Sequence, residues 1–266
     1  MEPILMRLAA NYERNMKGHD DMNIAGATDR GYIRSTNQDC YVIQRIEDAV
    51  LAVVCDGIGG ARAGDVASSI SCKLMDEAFI KKTRFLDIED VRAWLNLTIA
   101  EVNQHIVSLS RHVEDYQGMG TTMVAVVFSK EGMIAANVGD SRIYGVNQQL
   151  VQLSDDHSLV NELVKLGKVR KEDANRHPNR NMLTNAIGIG MQIDIDVFQI
   201  PKEYDMIMLC SDGVHGYIEE SDILNAVHSN SELEEKVNVL IGLANNAGGY
   251  DNSTVILGDL RGDDHE

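Results

Sequence analysis

The stretch VLAVVCDGIGGARAG, residues 50–64, constrains the fold more than any other part of the chain. Leu51-Ala52-Val53-Val54-Cys55 reads as a buried strand, and Asp56 closes it. An ionised carboxylate at the end of an apolar run is costly unless something cationic compensates it. Gly57, Gly59 and Gly60 follow, letting the backbone turn tightly and leaving room for another group beside the main chain. A metal ion, a phosphate or a tight surface turn would each satisfy that local pattern.

The arrangement recurs. In MIMLCSDGVHG an apolar run again leads into Asp212 and Gly213, and GGYDNSTVIL sets Asp251 just ahead of a final strand. NVGDSRIY places Asp140 between two strands, and NQDCYVIQ places Asp39 at the head of one. Asp is an ordinary turn and cap residue, so each alone says little. Five in the same setting say more, because clustered carboxylates repel one another unless a cation holds them. Oxygen-only ligation points to hard divalent ions, Mg²⁺ or Mn²⁺, rather than zinc or copper. The histidines form neither an HExxH motif nor a His/Cys pairing that would argue otherwise. A pair of such ions has a chemical use, activating a water and clamping a phosphoryl group for in-line attack.

The elements around these aspartates argue for antiparallel sheets covered by helices. Strand patterns at NIAGATDRG, CYVIQRI and AVLAVVCDG precede two long helical patterns, near residues 61–80 and 88–109. The first predicts a buried stripe of Val66, Ile70, Leu74 and Ala78; the second, one of Val91, Leu95, Ile99, Val102 and Ile106 with Trp94 packed beside it. A meander follows, through TTMVAVVFS, MIAANVGDS, RIYGVNQQ and LVQL. Polar, irregular sequence then leads to IDIDVFQI, EYDMIMLCSDG, two further helices and NSTVILGDL. Few strands alternate singly with crossover helices, so a Rossmann reading fits poorly. Residues 1–20 announce no element and are read as an extension without an assigned role.

Composition narrows the partners. Twenty-four basic against 41 acidic side chains give a formal charge of −17, which disfavours nucleic acid and anionic membrane as general partners. An anionic substrate would therefore need local positive charge, from arginine or metal. Cys40, Cys55, Cys72 and Cys210 contain no CxxC and read as structural thiols of a reduced, cytoplasmic protein. No basic-then-apolar leader or membrane-length apolar run is evident.

Taken in order, TDRGYIRSTNQD (28–39), CDGIGG (55–60), GMGTT (118–122), GDSR (139–142), DDHSLV (155–160), HPNRNMLTNAIG (177–188), CSDGV (210–214) and DNSTVI (251–256) resemble the metal-dependent protein serine/threonine phosphatases of the PPM, or PP2C, family, in their compact bacterial form. The resemblance implies an α+β fold: a four-layer α/β/β/α sandwich with two central, mainly antiparallel sheets, occupying residues 21–262 as a single domain with a flap near 155–188. It implies that Asp56 bridges two Mn²⁺ or Mg²⁺ ions, with Asp212 and Asp251 on the first and the Gly57 carbonyl on the second. Asp39 and Asp140 match positions associated with the second and with a third, weaker ion. Arg34 matches the arginine that grips the substrate phosphate, a role that suits its planar, permanently charged fork. Two positions depart from common family patterns: Ile58 stands where eukaryotic members often carry histidine, and Gln38 where many carry glutamate.

The function implied is hydrolysis of phosphoserine and phosphothreonine on proteins by metal-activated water, without a phosphoenzyme. No serine or cysteine sits in a convincing nucleophile elbow, which agrees. Expected partners are phosphorylated proteins and an opposing Ser/Thr kinase, with the enzyme itself a monomer. The alternative from another class is a non-catalytic regulatory module that binds phosphoproteins with the same fold.

Overall fold

A computed structural model describes residues 22–59 and 63–261. The segment read as an N-terminal extension, 1–20, lies outside the described residues. The strands are β1 (Ile24–Asp29), β2 (Asp39–Ile46), β3 (Ala49–Ile58), β4 (Gly120–Thr121), β5 (Met123–Ser129), β6 (Gly132–Val138), β7 (Arg142–Val146), β8 (Leu150–Gln152), β9 (Asp196–Ile200), β10 (Met206–Cys210) and β11 (Ser253–Asp259). One sheet runs β1-β11-β10-β7-β8 and the other β2-β3-β5-β6-β9, with β4 paired to β3. Every pairing is antiparallel.

The helices are α1 (Gly64–Lys82), α2 (Ile88–His112), α3 (Leu159–Lys165), α4 (Asp212–His215), α5 (Glu220–Val227) and α6 (Leu233–Asn246). Three apolar cores make four layers of these elements. β3 explains how one strand serves two of them. Ala49, Leu51, Val53 and Cys55 face α1 and α2, while Val50, Ala52 and Val54 face the other sheet and meet Ile143, Ile207, Leu209 and Ile256. Strand side chains alternate faces, so a strand buried on both sides must be apolar throughout. The third core packs α5 and α6 on the outer face of β1, β7, β10 and β11. The architecture is the expected α/β/β/α sandwich.

The stripe expected for α2 is the buried one, and Trp94 packs edge-on against Phe79 and Phe85 at 5.5 and 5.7 Å between ring centroids. The stripe expected for α1 is displaced. Its buried face is Ala67, Ser68, Ser71, Cys72, Met75 and Phe79, with Val66, Ile70 and Leu74 only partly buried beside it. Small residues let this helix sit close to β2 and β3, and a reading keyed to large apolar side chains selects the flank instead. Ser68 belongs to the buried face because its hydroxyl donates to the Gln38 carbonyl at 2.6 Å. No helix among the described residues is long and apolar enough to cross a membrane.

Candidate metal centre

The five aspartates converge where strands of both sheets end. Asp39 opens β2 and stands directly opposite Asp56 near the end of β3. Asp140 occupies the β6–β7 turn, Asp212 begins α4 straight after β10, and Asp251 lies in the turn before β11. Asp56, Gly57, Asp140, Asp212, Asp251 and Arg34 all line one open cleft. Asp39 does not line it. Buried behind Asp56, its Oδ2 accepts from the Ser211 and Thr254 hydroxyls at 2.7 Å each, so it bridges the two sheets. Its other oxygen, Oδ1, is buried with no hydrogen-bond donor.

Backbone and hydroxyl contacts fix this geometry. The Asp56 N–H donates to Thr122 Oγ1 at 3.0 Å, and the Asp56 carbonyl accepts from the Thr122 N–H and the Thr121 hydroxyl, both at 2.9 Å. Thr122 in turn shares a 2.7 Å hydrogen bond with Ser141, next to Asp140. Gly57 must lack a side chain, since a Cβ there would run into the Gly64 carbonyl where α1 begins. Asn252 ties the loop carrying Arg34 to the Asp251 turn. Its Oδ1 accepts from the Gln38 N–H at 2.8 Å, and its Nδ2 donates to the Arg30 and Thr36 carbonyls at 2.8 and 3.0 Å.

The electrostatics are those of negative charge in excess. Burial first, then the other carboxylates, push Asp56 well above the usual carboxylate range. Burial is also the largest cause for Asp39, Asp140 and Asp212, each raised with Asp212 or Asp251 adding repulsion. Arg34 offsets part of this charge, its Nη2 donating to Asp251 Oδ2 at 2.7 Å while half its side chain stays exposed. Arg142 is committed elsewhere, forking onto Asp156 at 2.9 and 2.7 Å and reaching the Tyr144 hydroxyl at 3.0 Å.

Among the described residues no three acidic, histidine or cysteine side chains form a ready-made cage around a point. The carboxylates instead ring the cleft, which suits a hard ion that keeps several of its waters. An all-oxygen donor set, mutually repelling acids and an orphaned carboxylate oxygen fit a divalent cation better than any protein group present.

Several supporting residues had escaped assignment in the sequence. Thr122, Ser141, Ser211, Asn252 and Thr254 all sit within three residues of a motif aspartate or glycine, and that adjacency was the available signal. His215 is another: burial holds it neutral, and its Nε2 bonds the Asp140 carbonyl at 3.0 Å, linking two of the acidic turns. In the 155–188 region, His157 Nδ1 accepts from the Gly139 N–H at 3.2 Å and Asn185 Nδ2 at 2.8 Å, so its Nε2–H faces Asp196 at 3.0 Å. That fastens the base of the region beside Asp140, and Asn181 and Leu183 from its return limb reach the cleft. His177 makes a local contact, accepting from the Asn179 N–H at 3.2 Å.

Residues 32–254, more than half of the chain, match the protein phosphatase 2C family. The serine/threonine phosphatase stp of Listeria monocytogenes is 42% identical over 233 residues, covering 86% of this chain and 92% of that protein. The solved serine/threonine phosphatase Stp1 from Staphylococcus aureus superposes with a TM-score of 0.86 at 32% identity, over 91% of this chain and 96% of that one. The catalytic domain of the serine/threonine protein phosphatase PstP, solved in complex with 2 manganese ions, superposes with a TM-score of 0.77 at 28% identity, over 90% of this chain and 99% of that one. Sequence match, shared architecture and the order of the motifs agree, and the chain belongs to the protein phosphatase 2C family of serine/threonine protein phosphatases.

Proposed function

We propose that this phosphatase hydrolyses phosphoserine and phosphothreonine esters at a binuclear Mn²⁺ or Mg²⁺ centre, without a phosphoenzyme. The observation that carries the reading is the convergence of Asp56, Asp140, Asp212 and Asp251 on one cleft with Arg34 at its side. Asp56 would bridge the two ions, Asp212 and Asp251 would complete the first, and the Gly57 carbonyl would face the second. Asp39 would act on the second ion from behind Asp56 through its uncommitted Oδ1, and Asp140 would serve a third, weaker ion. When bound, such ions supply Lewis-acid charge for a phosphoryl group and an activated water.

The chain's own residues do the rest. Arg34 offers its planar fork to two phosphate oxygens, and its pairing with Asp251 keeps the guanidinium at the cleft before substrate arrives. The Asp56 backbone is held by Thr121 and Thr122, so its carboxylate keeps one direction. Gln38 lines the cleft without a charge, leaving Asp56 as the acid on that wall with Asp39 buried behind it. The domain spans residues 21–262 in this reading, and residues 155–188 form a flap that guides the substrate protein. The reading further places a monomeric enzyme in the cytoplasm, opposite a Ser/Thr kinase, and its four free cysteines support that compartment. A non-catalytic module would have no physical reason to keep so many repelling acids together.

The test is metal removal. Protein stripped with EDTA should not hydrolyse a phosphothreonine peptide, and Mn²⁺ or Mg²⁺ should restore turnover where Zn²⁺ does so poorly. Full activity in rigorously metal-free buffer would end the proposal.

A further inference from the structure

A phosphoresidue seated in the cleft forces its neighbours in the peptide onto the rim, and one part of that rim is unusual for so acidic a protein. Tyr32, Ile33 and Tyr250 are 68%, 65% and 56% exposed, and they directly precede Arg34 and Asp251, which the 2.7 Å ion pair holds together. Two turns are zipped to build this surface. The Tyr32 and Ile33 N–H groups both donate to the Gly249 carbonyl, at 2.8 and 3.1 Å. Gly249 has φ of +55°, and a Cβ there would lie 2.8 Å from the Tyr32 ring, so the residue gives way to that ring. Tyr250 is backed by Tyr217 at 5.8 Å between centroids. A pinned backbone under Tyr32 and Ile33 and two supported rings lose less freedom when something lands on them.

We infer that Tyr32, Ile33 and Tyr250 form a subsite for a bulky apolar side chain lying within two residues of the phosphoserine or phosphothreonine of the substrate. The inference rests on the reading of Arg34 as the phosphate-gripping residue. Each residue of an extended peptide advances only about 3.3–3.6 Å, so a subsite built from the residues next to Arg34 is reached by an immediate neighbour of the phosphoresidue. The charges nearby select against a basic neighbour, and the apolar surface against a charged one. A basic neighbour would meet Arg30 and Arg34, while Asp251 is taken by Arg34 and Asp29 accepts from the Gly31 N–H and Asn245. An acidic neighbour would lie over two rings and an isoleucine. An aliphatic or aromatic side chain instead removes apolar surface from water on both partners.

The test uses phosphothreonine peptides that differ only in carrying Leu or Ser at each of the two positions on either side, assayed in Mn²⁺ with wild type, Ile33→Ser, Tyr250→Ser and Tyr250→Phe. At one flanking position wild type should prefer Leu by about three- to tenfold in kcat/KM, the share expected from partial burial of one leucine. Ile33→Ser and Tyr250→Ser should bring that ratio to within about twofold of one, whereas Tyr250→Phe, which keeps the ring, should retain it. Reading a ratio cancels any uniform damage to the cleft. Absence of a Leu preference in wild type, a preference for Lys in a matched peptide, or Ser variants that lose rate equally on both peptides would overturn the subsite. The reading beneath it fails separately: Arg34→Ala with wild-type kcat/KM on every peptide would remove Arg34 from the phosphate while leaving a measured Leu preference standing.

Discussion

Replacing Asn252 with leucine tests whether the loop carrying Arg34 is held by one side chain. Leucine is close in size but donates and accepts nothing, so three bonds vanish together. The Gln38 N–H loses its 2.8 Å acceptor, and the Arg30 and Thr36 carbonyls lose their donors. Asn252 is 5% exposed, so its own amide is well removed from water. The two carbonyls belong to exposed residues and can rehydrate, whereas the Gln38 N–H sits beside the β2–β3 ladder and cannot do so easily. One orphaned buried donor costs about 1–3 kcal/mol and each lost ordinary hydrogen bond about 0.5–1.5 kcal/mol. The total is roughly 2–6 kcal/mol, and at about 2–4 °C per kcal/mol for a domain of this size Tm should fall by roughly 4–24 °C.

Asn252→Asp separates hydrogen bonding from charge. It keeps an acceptor for the Gln38 N–H but turns a carboxylate oxygen toward two carbonyls and adds a further negative charge to the acidic cleft. In EDTA it should melt at or below the leucine variant. Saturating Mn²⁺ should recover part of the aspartate loss and much less of the leucine loss, because only the first contains repulsion that a cation can relieve. Scanning calorimetry of the three proteins, with and without metal, reads both effects. A leucine variant within about 1 °C of wild type would show that the loop is held by other contacts, and the energetic argument would fail.

Arg34→Ala should lower kcat/KM on a phosphothreonine peptide by roughly 10- to 100-fold, about what one charge-assisted fork is worth at a half-exposed site. Because Arg34 competes with any cation for Asp251, calorimetric Mn²⁺ affinity should hold or tighten slightly, and a collapse of metal binding would reassign the residue to a structural role. Asp56→Asn and Asp212→Asn should each cut turnover on the order of 10²-fold or more while raising Tm in EDTA, since each removes one of the repelling charges; wild-type kcat/KM at saturating metal would refute either assignment. The stability of metal-free protein should also depend on pH. Burial and mutual repulsion raise Asp212 to about 6 and Asp140 to about 8, so the folded state holds protons that the unfolded chain has released above its ordinary value near 4. Stability in EDTA should therefore be greatest near the acidic end of that range and decline as pH rises toward about 8, and Mn²⁺ should flatten the decline; a Tm that rises over this interval in EDTA would contradict the assignment.

The sequence made the acidic centre visible because its signal is local: an apolar run, then Asp, then Gly, at Asp56 and again at Asp212. The burial of β3 was legible for the same reason, as one unbroken apolar run. What escaped depends on partners far away in the chain. Asp39 reads like the other four aspartates, yet Ser211 and Thr254 draw it behind the cleft from more than 170 residues away. Arg34 could be singled out as a candidate phosphate ligand, but nothing near it announces Asp251 as its resting partner, 217 positions on. The buried face of α1 was misplaced because close packing onto a sheet favours Ala, Ser and Cys, which periodicity of large apolar residues does not register.

Parity along two strands explains why an apolar run should end in a carboxylate at all. In β3 the even-numbered residues Val50, Ala52 and Val54 face the space between the sheets, and Asp56 continues that series at the mouth of the sandwich. In β2 the odd-numbered Tyr41 and Ile43 do the same, and Asp39 continues theirs, opposite Asp56. Asp212 and Asp251 arrive from the ends of β10 and β11 in the facing sheet, so the acids of both sheets meet only where the inter-sheet core stops. A slip of one residue in β3 would turn Asp56 toward α1 and bring Cys55 into the cleft. The same slip would carry Val50, Ala52 and Val54 out of one apolar core and their neighbours out of the other. Two buried faces therefore enforce the register that aims one carboxylate, and the position of Asp56 is secured by the hydrophobic effect acting on residues that never touch a substrate.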